Sequence, residues 1–171
     1  MAKPNKQTEK IIQEAIASFP VFATHLWHYL KLPSPTPVQY QLADYLQTGP
    51  DRRIIMAYRG CVLWRLRRDP DCKILVISAA QDRADAFSVF CHDLLRNWFM
   101  IKDLFPSDTQ RFSKVAFDIY GAKPDQSPSV RSSGIFGQIT GSRADLIVAD
   151  DTETPQSCET QLIRDKLREA I

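Results

Sequence analysis

The chain has 171 residues, 44% of them hydrophobic and 25% charged, with a net charge of +2. That length suffices for one domain with a real core, and that charge is too slight to argue for a nucleic-acid partner. No run approaches the ~18 apolar residues of a membrane span, no apolar stretch follows the polar start to make a signal peptide, and the scattered Cys61, Cys72, Cys91 and Cys158 form no C-x-x-C pair, which predicts free thiols in a reducing cytosol.

The first elements are helical. Ile11, Ile12, Ala15 and Ile16 share one face of a helix over 8–18, with Thr8 as its N-cap. A second helix covers 22–31, with Phe22, Leu26, Trp27 and Leu30 on its apolar side, and Leu32-Pro33-Ser34-Pro35-Thr36-Pro37 ends it. A third, 37–47, starts with proline in its first turn. From residue 53 strands and helices alternate. Arg53 to Tyr58 reads as a buried strand, Val62 to Arg68 as a short helix stopped by Asp69-Pro70, and Lys73 to Ser78 as a second buried strand. Ala84 to Phe99 is an amphipathic helix, Val115 to Tyr120 alternates like a strand, and 121–134 reads as a loop with a short strand near Val130. Leu146 to Asp150 is a buried strand and Glu159 to Ala170 a final helix. Trp27, Trp64 and Trp98 are expected in the core.

The segment with most chemistry is Arg143-Ala144-Asp145-Leu146-Ile147-Val148-Ala149-Asp150-Asp151-Thr152-Glu153. Four apolar residues run into paired carboxylates, as a Walker B strand does when its tip holds magnesium beside a nucleotide; an acidic turn after any buried strand looks similar. The C-terminal tips of open parallel sheets are where ligands bind. Asp150 would hold the metal. Asp151, with Glu153 in reserve, would polarise the attacking water. The matching phosphate loop, G-x-x-x-x-G-K-S/T, belongs after Tyr58. There Arg59-Gly60-Cys61-Val62-Leu63-Trp64 has one glycine and lacks the lysine, the hydroxyl residue and the second glycine. Upstream, Pro37-Val38-Gln39-Tyr40-Gln41 offers a glutamine that could pair with an adenine edge; its plainer reading is an exposed helix glutamine. His25 and His28 sit three apart without an evident third metal ligand. The cluster Arg52, Arg53, Arg59, Arg65, Arg67, Arg68 and Lys73 either faces phosphates or forms a solvated face.

Several segments occur in one telling order: Leu32 to Gln39, Ile54 to Gly60, Lys73 to Ala84, Asp125 to Val130, and Gly141 to Asp145. Together they resemble the large terminase subunit of short-tailed phages, the DNA maturase B type, across nearly the whole chain. The resemblance implies an α/β fold: an incomplete P-loop NTPase-like parallel sheet of the ASCE or RecA type, flanked by helices. Helical residues 1–48 would lead into a partial ATPase core at 49–171. It implies an ATP-driven motor that moves viral DNA in the bacterial cytoplasm, encoded by a phage or prophage and working with ATP and Mg2+. Its partners would be double-stranded DNA, a small terminase subunit, a portal ring and further copies in a homo-oligomeric ring, with no membrane. Gln39, with Gln41 as alternative, matches the adenine contact. Arg59 and Gly60 match the opening of the phosphate loop, Asp150 the magnesium aspartate and Asp151 the next acidic position. Arg143 lies where an arginine could reach a neighbouring subunit's phosphates.

This sequence departs from the family pattern in three ways. The phosphate loop is interrupted at Cys61, as by a deletion of roughly a dozen residues covering one loop and the first helical turns. The later motor strands are expected to be absent, including the one between the Walker A and Walker B strands, which would leave two strand edges unpaired. The family's nuclease domain is expected to be absent too. The functions that compete are therefore a truncated packaging ATPase with weak or no turnover, a non-catalytic module or remnant that binds small terminase or portal, and a helicase-like ATPase. The Asp125–Ser142 block and the lack of a D-E-x-D or D-E-x-H sequence argue against the last.

Overall fold

A computed structural model of the chain describes residues 5–50, 60–137, 143–152, 161 and 165. The predicted strand 53–58, Arg59, Glu153, Cys158 and most of the predicted last helix lie outside them; Gln161 and Asp165 are helical. Two compact units divide the chain, Met1–Arg68 and Asp69–Ile171.

The described residues of the first unit form four helices: α1 (Lys6–Ala17), α2 (Phe19–Tyr29), α3 (Pro37–Thr48) and α4 (Cys61–Arg68). The cap of α1 is Asn5, not Thr8. The Asn5 side chain accepts a hydrogen bond from the Thr8 N–H at 2.8 Å, so Thr8 is already inside the helix. Helix α2 starts three residues earlier than predicted. Ser18 ends α1 and caps α2, and Pro20 fits the first turn, where no N–H is required of it. The Gln47 side chain of α3 staples this corner, accepting from the Phe19 N–H at 2.7 Å and donating to the Ala17 carbonyl at 3.0 Å. The Trp64 indole of α4 donates to the Ala15 carbonyl at 3.1 Å. Both bonds satisfy carbonyls that the end of α1 leaves without helical partners. Phe19, Phe22, Leu26, Val62, Leu63, Trp64 and Leu66 form the core. Trp64 and Trp98 are buried as expected, whereas Trp27 is only half-buried.

Among its described residues the second unit has a four-stranded sheet with α5 (Gln81–Asn97) packed on it. Its strands are β1 (Ile74–Ser78), β2 (Ala116–Phe117), β3 (Val130–Gly134) and β4 (Leu146–Asp150), in the order β2-β3-β1-β4. Strand β1 runs parallel to both β3 and β4, and β2 runs antiparallel to β3. The sheet is thus mixed, not purely parallel. β1 has a neighbour on each side; the expected gap lies between the predicted strand 53–58, outside the described residues, and β4. Among the described residues the outer edges of β2 and β4 have no partner strand.

Two strands differ from expectation. β3 extends the short strand expected near Val130 through Gly134. Its Ser132 hydroxyl meets that of Ser88 on α5 at 2.7 Å, which lets a polar residue be buried. β4 was predicted buried, yet Ile147 is 61% exposed and none of its residues is fully buried.

The chain between α5 and β3 is held by polar clamps. Arg111 makes a fork to Asp118 (Nε to Oδ2 2.9 Å) and donates to the carbonyls of Asp125, Gln126 and Ser127 at 2.7, 2.7 and 3.2 Å. Asp71 accepts from the Lys123 Nζ at 2.7 Å and from its N–H at 2.9 Å; the side-chain bond and then the backbone bond hold the Asp71 carboxyl below its usual pKa. Cys72 and Cys91 are buried.

His92 of α5 stacks on Phe112 (3.9 Å between ring centres) and meets Phe117 edge-on, while Arg96 covers Phe112. Burial lowers the His92 pKa; the Arg96 charge adds to that and Asp93 opposes it. A base whose folded pKa lies below its unfolded value of about 6.5 keeps the fold stable above that value. The stabilisation is lost as pH falls through it. Urea midpoints of this chain should therefore fall between pH ~7.5 and ~5.5, and His92→Gln should remove part of that slope. A slope unchanged by the substitution would place the proton uptake elsewhere.

Candidate functional site at the tips of the parallel strands

Parallel strands end on one edge of their sheet, and register decides what is collected there. Ser78 pairs with Gly134 on one side and with Asp150 on the other, so the three form one row at the C-terminal edge. Beyond that row the Ala79 N–H donates to the Asp151 carbonyl at 3.2 Å, and the Ile135 N–H donates to the Ser78 carbonyl at 2.8 Å. Asp151 has φ 47°, a left-handed backbone that turns the chain as β4 ends. Asp150 is half-buried and Asp151 exposed.

α5 begins at this edge. Its N-cap is Ala80, which offers no side-chain cap. Gln81 then does two things. Its Oε1 accepts from the Gly134 N–H at 3.1 Å, closing the end of β3, and its Nε2 donates to Asp85 at 2.8 Å. A Cβ on Gly134 would lie 2.9 Å from the Gln81 nitrogen, so glycine is what lets helix and strand meet. Ser78 is 1% exposed, and its hydroxyl has no hydrogen-bond partner among the described residues. Sequence reasoning missed Ser78, Gln81 and Gly134. The signal available for Ser78 was a hydroxyl residue ending an apolar strand; Gln81 and Gly134 gave none, because their contact is tertiary.

The sequence-predicted residues are distributed as follows. Asp150 and Asp151 stand together at the strand tips. Arg143 precedes β4, at its other end. There Asp145 locks to Lys73, its Oδ2 accepting from the Lys73 N–H at 2.8 Å. Seven residues of extended chain separate Arg143 from Asp150, about 20 Å, so one copy does not bring them together. Arg143 instead neighbours Asp125, whose pKa is lowered first by the Ser127 N–H and further by Lys73 and Arg143.

Gln39 and Gln41 ride on α3. The Gln39 Oε1 accepts from the Thr36 N–H at 2.8 Å while the Gln39 N–H reaches the Thr36 hydroxyl, a capping box. That role was readable in Thr36-Pro37-Val38-Gln39. Gln41 is exposed. Gly60 is buried at the head of α4, its carbonyl accepting from the Trp64 N–H at 3.2 Å. His25 and His28 share α2, and burial followed by His28 lowers the His25 pKa.

These residues differ in how well they suit a nucleotide and its metal. Magnesium is held by one or two carboxylates, with waters and phosphates filling the rest of its octahedron. Asp150 and Asp151 suit that mode. Among the described residues no group of three or more His, Cys, Asp or Glu offers a fuller cage. A phosphate cradle needs open backbone N–H groups at a helix start. At α4 a Cβ on Gly60 would lie 2.6 Å from the Leu26 Cδ2, and Val62 and Leu63 are fully buried. That helix start is walled by apolar side chains and does not suit a triphosphate.

Comparison with known proteins sets this geometry in context. No protein-family profile matches the chain. It is 41% identical over 177 aligned residues to the terminase large subunit of Enterobacteria phage T3, an alignment covering 98% of this chain and 30% of that relative. The chain thus spans under a third of the relative's length. The 177 aligned positions exceed the 171 residues of this chain, so the relative carries at least six residues inside the aligned stretch that this chain lacks. The resemblance read from the sequence stands: along nearly all its length the chain is similar to part of a terminase large subunit.

Proposed function

We propose that this chain acts in packaging viral DNA, as the counterpart of the ATPase motor portion of a terminase large subunit. In this reading β4 is the Walker B strand of a P-loop-type core, Asp150 and Asp151 would hold magnesium, and turnover is weak or nil. The observation that carries it is the 41% identity across 98% of the chain. The missing residues inside the aligned stretch agree with a gap at the phosphate loop, and the apolar wall around Gly60 agrees with a lost cradle. Among the described residues no helix is long and apolar enough to cross a membrane. The host cytoplasm is the site of action that goes with packaging, and double-stranded DNA, small terminase and portal are the partners.

Two measurements test the two halves of this reading. Phosphate release by the purified chain with ATP and Mg2+ should stay at background, and Asp150→Ala should change nothing. Magnesium-dependent hydrolysis abolished by Asp150→Ala would instead restore an active motor. The immobilised chain should capture small terminase or portal from cells infected by a phage encoding a similar large subunit. Capture of neither would remove the packaging role.

A further inference from the structure

We propose that the Ser78 hydroxyl donates to the Asp150 carboxylate and holds it in the orientation that grips magnesium, which makes Ser78 a positioning residue of the strand-tip site. The inference rests on the reading of Asp150 as the magnesium aspartate and adds to it the group that fixes that side chain.

The starting observation is a buried polar atom. Ser78 is 1% exposed, and its Oγ has no hydrogen-bond partner among the described residues. Folded proteins rarely leave a buried hydroxyl unbonded, because it gives up its bonds to water and gains nothing in return. The register of the sheet shows which group supplies the partner. Paired residues of parallel strands turn to the same face, and that face alternates along each strand. Ser132 of β3 faces α5, since its hydroxyl meets that of Ser88. Val76 pairs with Ser132 and with Val148, and further along the same strand Ser78 pairs with Gly134 and with Asp150. Ser78 and Asp150 therefore project from the α5 face as neighbours in one row, on strands about 4.8 Å apart.

The surroundings of Ser78 offer little else. Gly134 has no side chain. Val76 and, in the first turn of α5, Ala84 are apolar and fully buried. The Gln81 amide is committed to Gly134 and Asp85. Asp150, half-buried in the same row, is the polar side chain beside the hydroxyl among the described residues. A carboxylate has two oxygens, so one accepts from Ser78 while the other stays open to a cation. Metal-binding carboxylates are held by outer donors of this kind, whose loss costs about 10–100-fold in metal affinity.

The test uses Mn2+ as a paramagnetic probe for the magnesium site. Its binding to the purified chain is followed by electron paramagnetic resonance, beside thermal melts in metal-free buffer. The wild type should bind Mn2+, and Asp150→Ala should abolish binding. Ser78→Ala should weaken it about tenfold, and Ser78→Thr, which keeps a hydroxyl, should stay within about threefold of wild type. In metal-free buffer Ser78→Ala should melt no lower than wild type, because it deletes an unbonded hydroxyl. Ser78→Ala binding as tightly as wild type, while Asp150→Ala does not bind, would overturn this proposal and leave the magnesium reading standing. So would a folded Ser78→Thr as weak as Ser78→Ala, or a Ser78→Ala whose metal-free melt falls along with its affinity. A wild type that binds no Mn2+, or whose binding survives Asp150→Ala, would overturn the magnesium reading and this proposal together.

Discussion

Phe19→Ala should lower the stability of the Met1–Arg68 unit by about 3–5 kcal/mol, the usual cost of emptying a buried aromatic site. Phe19 is fully buried at the corner between α1 and α2, with the ring of Trp64 centred 5.1 Å away and that of Phe22 6.5 Å away. Its own N–H is bonded to Gln47, so the cavity would open between three helices. The Trp64 indole that bonds to Ala15 would lose the wall that orients it. A unit of this size is stable by roughly 3–10 kcal/mol, so the variant should be largely unfolded at 37 °C. Urea titration followed by tryptophan fluorescence measures this, with Phe19→Leu as a milder control. A loss below about 1 kcal/mol would mean that the corner collapses without consequence.

Gly134→Val should cost the second unit about 3 kcal/mol, at the upper end for overpacking. A Cβ at 134 would approach the Gln81 nitrogen at 2.9 Å and the Ala80 carbonyl carbon at 3.2 Å, both backbone atoms of the α5 start. Neither can swing aside as a side-chain end can, so helix and strand must separate and the Gln81–Gly134 bond must lengthen. Thermal melts read the loss. Hydrogen exchange at Gly134, Ile135 and the first turn of α5 locates it. Gly134→Ala should fall between the wild type and Gly134→Val.

Much of this fold was legible in the sequence. The spacing of apolar residues placed α1, α3, α4 and β1 nearly correctly, because each carries its own cap, breaker or periodicity. Misreadings arose where tertiary contacts decide. The second helix, read as starting at residue 22, starts at Phe19, with Pro20 in a first turn that Ser18 caps. Ala80-Gln81-Asp82 carries no capping signal, so α5 begins three residues before its apolar stripe does. Arg131-Ser132-Ser133-Gly134 is small and polar and reads as loop. Its pairing with β1 and β2, backed by the Ser88 bond and the close passage of α5, makes it a strand. The site divides the same way. The tip position of Asp150 follows from an apolar run meeting carboxylates, whereas Gln81 and Gly134 matter through each other. The exposure of β4 was hidden because apolar content says that a strand wants cover and not what supplies it.

Asp151 adds a last constraint. A left-handed φ of 47° is tolerated by glycine, asparagine and aspartate far better than by longer or branched side chains. In the proposed magnesium-holding reading, the second acidic position is thus filtered twice, once for a negative group and once for a torsion angle. Glutamate satisfies the first filter, asparagine the second, and aspartate alone satisfies both.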